Sequence, residues 1–240
     1  SMRSVTKTYD VLDAFDYARY RNESNLRTTA TQFPAFHIEG NQLYQIINND
    51  GNVSISDTPV TTVDWQDELL NMSTSLSVGG SVSGGSDNGN YYLSAGFNDQ
   101  KGLAKNSSFK SGDIRLNLNQ TLSPKIKINA RLSGFFSSTD FAEGGDLLGG
   151  SSTSFIRNLL SFRPILPDGL DDIENIDDLG IASPYSFIDD FEDKSNENRF
   201  FGVLTATFDL GLKGLSFQTR AGGNISTFYG VVFFYRKVIT

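Results

Sequence analysis

Alternation with a period of two residues dominates the chain from Asn71 onward. Between Asn71 and Ser83 the even positions carry Met, Thr, Leu, Val, Gly and Val, whereas the odd positions carry mainly Ser. This pattern predicts a β-strand with one apolar face and one small polar face. The apolar face meets either a protein core or lipid, and the alternation alone does not decide between these two environments.

The same alternation recurs along the rest of the chain. It predicts further strands in segments 91–97, 113–122, 125–135, 199–210 and 215–226, and the apolar piece 229–240 predicts the start of a seventh strand. We therefore expect a mainly β fold, an antiparallel up-and-down meander of about 6–7 strands. Its apolar face is expected to contain Leu76, Val78, Val82, Tyr91, Leu93, Phe97, Leu116, Leu118, Ile126, Ile128 and Leu132.

The connections between these strands fall into two alternating classes. Segments 84–90, 123–124 and 211–214 are short, whereas segments of about 98–111 and 138–198 are longer. In a meander this alternation predicts short turns at one edge of the sheet and long loops at the other edge. That asymmetry is typical of outer-membrane β-barrels, and a soluble sandwich has no reason to show it.

The region before the alternation has a different character. Helical spacing of apolar residues predicts one amphipathic helix between Tyr9 and Asn22. Residues 23–62 are rich in Asn, Thr, Gln, Asp and Gly, and we predict a long, partly ordered excursion with a turn at Asp50-Gly51. A single helical turn is expected at Asp64–Leu70, just before the first strand.

Composition excludes several classes of function. The chain has 20 basic and 28 acidic residues with a net charge of −8, which argues against a nucleic-acid surface. Because it has no cysteine, it contains no disulfide and no thiolate metal site, which suits an oxidising compartment. The start Ser1-Met2, typical of an expression scar and followed by no signal peptide, predicts a piece of a longer protein.

Aromatic residues of the long loops are the candidate ligand-binding residues. They could stack on a sugar, although packing within the loops is the favoured interpretation for each of them: Phe141, Phe155, Phe162, Tyr185 and Phe191.

Catalytic and metal chemistry has little support in the sequence. His37 is the only histidine, and the acidic run 167–180 lacks the ligand spacing of a calcium loop, so it predicts a solvated loop. The pair Asp189 and Asp190 leaves open a secreted hydrolase as the least favoured hypothesis. We expect no enzyme activity, no metal and no cofactor.

Several segments carry motifs in an order that resembles a known family. They are "YDVLDAFDYARYRNES" at 9–24, "VDWQDELLN" at 63–71, the run from "LSVGGSVSGGSDNGNYYLSAGF" to "LSPKIKI" at 76–128, and "FRPILPDG" at 162–169. Together they resemble the SusC/RagA family of TonB-dependent outer-membrane transporters. The resemblance covers most of the chain and is most specific between Asp64 and Ile128.

The resemblance implies a fold and a function for the intact protein. It implies a plug and a 22-stranded transmembrane β-barrel with long external loops in the outer membrane of a Gram-negative, Bacteroidetes-type bacterium. Residues 1–70 would be a post-plug helix and external loop segment, and residues 71–240 a partial β-barrel. The implied function is import of oligosaccharides, peptides or similar large nutrients. The implied partners are a SusD-like surface lipoprotein, the TonB complex, whose contact lies outside this chain, and outer-membrane lipid.

A second hypothesis is a soluble extracellular β-sandwich module that binds a glycan. It predicts cooperative unfolding without detergent and measurable affinity for a sugar. A monomer whose apolar face packs on a continuous second sheet would count against the transporter hypothesis. The transporter hypothesis predicts that this face is exposed to lipid, or that a second copy, detergent or the excursions at 23–62 and 138–198 cover it in water.

Overall fold

We describe the protein from a computed structural model. The structure describes residues 2–4, 8–28, 33–49, 51–141, 155–166, 183–185 and 191–234. In chain order its elements are β1 (Met2–Arg3), α1 (Ala14–Thr28), β2 (Phe36–Glu39), β3 (Gln42–Asn49), β4 (Asn52–Pro59), β5 (Thr61–Thr62), α2 (Trp65–Leu69), β6 (Ser73–Ser86), β7 (Gly89–Lys101), β8 (Ser108–Ser123), β9 (Ile126–Phe141), α3 (Phe155–Ser161), β10 (Ile165–Leu166), β11 (Phe191–Asp209) and β12 (Ser216–Phe234).

One antiparallel sheet contains all the long strands. Its order is β1-β6-β7-β8-β9-β11-β12, so each long strand pairs with the next long strand along the chain, and the two-residue β1 lies at one edge. The long strands contain 13 to 19 residues. The predicted antiparallel meander is therefore confirmed. Within the described residues, no helix has both the length and the apolar character needed to cross a membrane.

The strand register assigns the side chains to faces as the alternation predicted. One row of paired residues crosses all six long strands on the apolar face: Val82, Leu93, Leu116, Leu132, Gly202 and Gly223. All the residues predicted for the apolar face lie on it, because successive side chains of a strand alternate and the pairing keeps one parity per strand.

The strand ends differ from the prediction in two ways. The apolar piece at 229–240 does not start a seventh strand, since Tyr229–Phe234 continues β12 and pairs with β11, and 235–240 lie outside the described residues. The strands also extend further into the loops than the alternation indicates. The connection predicted at about 98–111 is therefore reduced to 102–107, and the one predicted at 138–198 is reduced to 142–190.

With these lengths, fewer connections support the predicted asymmetry between the two edges of the sheet. The other edge of the sheet has the connections 87–88, 124–125 and 210–215. Because 102–107 is no longer than 210–215, the asymmetry rests on 142–190 and on the segment that precedes β6.

The segment between residues 23 and 62 contains more regular structure than predicted. Strands β2, β3 and β4 form a three-stranded antiparallel sheet within it. Strand β3 ends at Asn49 and β4 begins at Asn52, on either side of the turn predicted at Asp50-Gly51, of which Asp50 lies outside the described residues. The helix α1 exists but begins at Ala14 rather than Tyr9 and continues to Thr28. The Asp13 carboxylate accepts a hydrogen bond from the Asp16 amide at 2.7 Å, which fixes this start.

The buried core lies outside the main sheet, at the edge of the long connection. One group of buried residues joins α2 to α3 and to the segment from Phe162 to β10: Trp65, Leu69, Phe155, Leu159, Phe162 and Leu166. A second group joins α1, β3 and β10: Ala14, Ala18, Leu43, Val60 and Ile165. We call the two groups together the loop cluster.

Candidate functional site

The "DWQDE" segment begins the loop cluster with a capped helical turn. Asp64 has an extended backbone, and its carboxylate accepts hydrogen bonds from the amides of Gln66 at 2.9 Å and Asp67 at 3.3 Å. These bonds satisfy backbone donors that a helix start leaves free, so Asp64 is the N-cap of α2. Two further acids in the first turn, Asp67 and Glu68, interact favourably with the positive end of the helix dipole.

Trp65 is the centre of the first buried group. Its ring contacts Phe162 edge-on, with centroids 5.5 Å apart, and contacts Tyr185 edge-on at 5.4 Å. Its indole Nε1 donates to the carbonyl oxygen of Arg163 at 2.9 Å. Only 4% of the Trp65 surface is exposed, so one residue joins α2 to two separate parts of the 142–190 loop.

Gln66 connects α2 to the N-terminal segment. Its side-chain oxygen accepts from the Tyr9 amide at 2.8 Å, and its Nε2 donates to the Tyr9 carbonyl at 2.9 Å. The side-chain amide therefore pairs with both backbone polar groups of Tyr9, as a residue of a neighbouring β-strand would. Because Gln66 is buried, both of its polar atoms need these partners.

Glu68 joins three segments through its carboxylate. The Oε1 atom accepts from Lys105 Nζ at 2.8 Å and from the Tyr185 hydroxyl at 2.6 Å. The hydrogen bond from Lys105, followed by that from Tyr185, lowers the pKa of Glu68 below its ordinary value of 4.5. Lys105 belongs to the 102–107 connection, so this contact ties that connection to the long loop.

The 102–107 connection is shaped for this contact. The Gly102 amide donates to the Ser107 carbonyl at 2.8 Å, and a Cβ on Gly102 would come within 1.9 Å of the Ser107 hydroxyl oxygen. A side chain at position 102 would therefore displace the Ser107 hydroxyl from its contact with the Ala104 carbonyl. The tight loop brings Ala104 against the Trp65 group and pairs it with Leu70.

The predicted aromatic candidates are distributed over the loops in different environments. Phe155 and Phe162 are 3% and 5% exposed inside the first buried group, and Tyr185 lies half-buried at its edge. Phe141 and Phe191 are at strand ends, and their side chains lie outside the described part of the structure. The burial of Phe155 and Phe162 agrees with the loop-packing interpretation, whereas Tyr185 keeps both an accessible ring surface and a partner.

Of the remaining sequence candidates, the structure describes only His37. His37 lies on β2 with its ring 6.4 Å from that of Tyr44. Both the acidic run 167–180 and the pair Asp189 and Asp190 lie outside the described residues. Across the ranges that are described, no three His, Cys, Asp or Glu side chains are grouped so that they could hold a metal ion.

The polar face of the main sheet is the second candidate surface. Asn119 donates to Asn90 at 2.7 Å, and Asn129 donates to Asn119, so a ladder of amides crosses three strands. Register extends this row to Thr205 and Arg220 on the next two strands. Such a surface offers donors and acceptors that can exchange hydrogen bonds with a hydrated solute.

The apolar face is exposed, and it has a polar limit on strands β7, β8, β9 and β11. Val78, Leu132 and Leu204 are each at least half exposed. Towards the long-loop edge, the apolar positions of these four strands end at a row of polar residues on the same face: Asp99, Lys110, Ser138 and Asn196. On β12 the same face stays apolar through Tyr229, Val231 and Phe233. Aromatic pairs lie near both limits, with Phe136 against Phe200 at 5.3 Å and Phe208 against Phe217 at 6.2 Å.

Comparison with known proteins identifies relatives in one family. No protein-family model matches the chain. It is 25% identical over 227 residues to TonB-dependent receptor P3 of Formosa agariphila, an alignment that covers 92% of this chain and 20% of the receptor. It is also 25% identical over 152 residues to TonB-dependent receptor SusC of Bacteroides thetaiotaomicron, covering 63% of this chain and 13% of that protein. The chain thus spans about a fifth or less of the length of these relatives.

Solved structures give the same result for the fold. The RagAB peptide importer in its open-open state matches 95% of this chain and 27% of its own chain, with a TM-score of 0.62 and 17% identity. Its closed-closed state matches 70% of this chain with a TM-score of 0.52 and 23% identity. The resemblance to the SusC/RagA family is confirmed. The named relatives of this SusC/RagA-like chain are receptors and importers rather than enzymes.

Sequence reasoning missed the roles of Trp65, Gln66 and Glu68 in this SusC/RagA-like chain. The sequence predicts a single helical turn here, which α2 confirms, and a family motif, but it assigns no role to these three side chains. The available signal was an apolar aromatic flanked by acids and an amide immediately before a strand, which is unusual for a solvated turn. Their partners are Tyr9, Lys105, Arg163 and Tyr185. These lie up to 117 residues away in the sequence, so no local pattern could have indicated them.

Proposed function

We propose that the chain forms part of the barrel wall of a TonB-dependent outer-membrane transporter. In this proposal the apolar sheet face contacts lipid and the polar face lines the interior. The intact protein imports oligosaccharides, peptides or similar large nutrients, and it works with a SusD-like surface lipoprotein and with TonB. The named relatives support the transporter class, and the peptide importer among the structural matches supports large solutes.

The observation that carries the proposal is the limited height of the exposed apolar face on the central strands. On β9 this face runs from Ile126 to Phe136 before it turns polar at Ser138. At ~3.3 Å per residue this is about 33 Å of strand. A strand tilted by ~40° then spans about 25 Å of membrane, which matches the ~25 Å apolar band of outer-membrane barrels flanked by aromatic residues.

The sandwich hypothesis fits this face less well. A sandwich needs a second sheet that covers the apolar side chains. In the described ranges of the chain, the three-stranded sheet contacts α1 and the other loop elements pack around Trp65, so neither covers the face. Ile225, on the same face, is 66% exposed.

Labelling of adjacent cysteines tests the orientation of the sheet. Ile225 and Asn224 are neighbours on β12 that face opposite sides, and this chain has no native cysteine. In outer membranes that contain the intact protein, Asn224→Cys should react with a charged, water-soluble maleimide. Ile225→Cys should react only with a lipid-soluble maleimide. Rapid reaction of Ile225→Cys with the charged reagent would refute the proposal, and protection from both reagents would favour a sandwich.

Uptake by cells tests transport separately. Cells that lack the intact protein should lose TonB-dependent uptake of one class in a panel of labelled oligosaccharides and peptides, and re-expression should restore it. Unchanged uptake across both classes would argue against nutrient import.

A further inference from the structure

Three basic side chains surround one depression on the polar face, close to the short-turn edge. Lys127, Arg131 and Arg220 line a space of about 690 Å³ together with the amide ladder described above. Asp87, in the turn between β6 and β7, contributes a carboxylate to the lining. The depression therefore combines three cations with one anion in a chain whose net charge is −8.

These three cations differ from the other basic residues on the same face. Arg115 pairs with Asp113 at 3.6 Å, and Arg199 pairs with Glu197 at 2.5 Å. The side chains of Lys127, Arg131 and Arg220, by contrast, have no hydrogen bond or ion pair with any of the described residues. Like charges that share a depression repel one another, so an anion placed among them would be favoured.

The strand register places the three basic residues around the side-chain amide of Asn129. Lys127 and Arg131 flank Asn129 on the same face of β9. Asn129 lies opposite Thr205, which in turn lies opposite Arg220. The planar guanidinium groups offer paired N–H donors, and the neighbouring amides and hydroxyl add further hydrogen-bonding groups.

We propose that this depression binds a carboxylate. A carboxylate presents two oxygens that match the paired donors of a guanidinium, and it neutralises the excess positive charge. It could belong to a transported solute or to an acidic side chain from the part of the intact protein outside this chain. The proposal rests on the proposed function in one respect, because it assigns the polar face to the interior.

Binding of a small dicarboxylate to the detergent-solubilised intact protein tests the proposal. Succinate is the probe, its diamide is the neutral control, and saturation-transfer NMR measures binding. Arg131→Gln and Arg220→Gln should each weaken succinate binding by about tenfold, since a lost charged hydrogen bond costs about that much. Arg115→Gln, which alters an already paired cation on the same face, should bind succinate like the parent protein. The diamide should give no signal.

Thermal unfolding distinguishes the two sources of the carboxylate. If an internal acidic side chain occupies the depression, succinate does not bind, but Arg131→Gln and Arg220→Gln lower the Tm by about 1 °C relative to Arg115→Gln. Equal binding of succinate and its diamide would overturn the proposal. It is also overturned if the variants match Arg115→Gln in both measurements. Neither readout depends on the cysteine labelling or on uptake, so failure of the proposed function is recognised separately.

Discussion

The loop cluster and the main sheet use apolar residues in opposite ways. In the cluster, Trp65, Leu69 and Leu159 are at most 4% exposed and contact one another across segments that are distant in the sequence. In the sheet, Val78 and Leu132 are 59% and 51% exposed on a continuous apolar face. The cluster therefore buries its apolar side chains as the core of a water-soluble protein does, whereas the sheet leaves its apolar side chains exposed.

The difference shows where each region obtains its stability. The cluster depends on side-chain burial and on a few polar contacts between segments. The sheet depends on backbone pairing. For example, β11 pairs with β12 from Phe191↔Phe234 to Asp209↔Ser216 without a register shift. A sheet stabilised in this way can leave its apolar face to lipid, because in lipid the essential requirement is that every backbone polar group be paired.

Among the changes considered, replacement of Trp65 should lower the stability of the loop cluster the most. Trp65→Ala removes two ring contacts and the hydrogen bond to Arg163, and it leaves a cavity. We expect the free energy of local opening of α2 and α3 to fall by about 3–5 kcal/mol. Hydrogen exchange measured by mass spectrometry on the detergent-solubilised intact protein would show faster exchange in these helices.

Leu132→Ala is the matched change in the sheet. Leu132 is half exposed, so its truncation leaves no closed cavity, and we expect β8 and β9 to keep their protection. Trp65→Ala should leave these strands protected as well. If it accelerated exchange throughout β8 and β9, the two regions would be one cooperative unit and the comparison would fail.

The sheet was the more predictable region because its signal is local. An alternation of period two assigns each side chain to a face without any knowledge of distant residues. The strand ends were not predictable in this way. Beyond Phe136 both faces of β9 become polar, as at Ser137 and Ser138, while the backbone pairing continues to Phe141. The three-stranded sheet at 36–59 escaped prediction for the same reason, since segments such as "NQLYQIINND" mix polar residues into both faces.

The cluster could be predicted only as a set of candidate aromatic residues. Phe155 and Phe162 are located in it, but their partner Trp65 is nearly a hundred residues earlier in the chain. Contacts at that separation depend on how the sheet brings the 102–107 and 142–190 connections to one edge. Because this placement follows from the folded meander, the roles of Gln66 and Glu68 became visible only in the structure.

Replacement of Gln66 should have an intermediate effect within the cluster. Gln66→Ala removes both hydrogen bonds to Tyr9 and leaves the Tyr9 amide and carbonyl without these partners. We expect a loss of about 1–3 kcal/mol in local stability. Exchange of the Tyr9 amide should accelerate, whereas Gln45→Ala, at an exposed position on β3, should leave it unchanged. Equal exchange in the two variants would show that Gln66 does not hold the N-terminal segment.

The smallest effect is expected from the pH dependence of the Glu68 contact. The pKa of Glu68 is lowered by Lys105 and then by Tyr185, so its carboxylate stabilises the cluster above the ordinary value of 4.5. That contribution is lost as the pH falls through the lowered pKa. Because both side chains of the ion pair are more than 30% exposed, the effect should be below about 1 kcal/mol.

Fluorescence of Trp65 can report this loss, because Trp65 is the single tryptophan of the chain and contacts Tyr185. In the isolated chain folded in detergent, or in the intact protein with any other tryptophans replaced, the emission should change reversibly between pH 5 and pH values below the lowered pKa. Glu68→Gln keeps an acceptor for Tyr185 but removes the titrating charge, so it should abolish the change. Asp67→Asn, on the exposed side of the same helical turn, should retain it. A transition that persists in Glu68→Gln would assign the pH response to another group and would show that the charge of Glu68 does not stabilise the cluster.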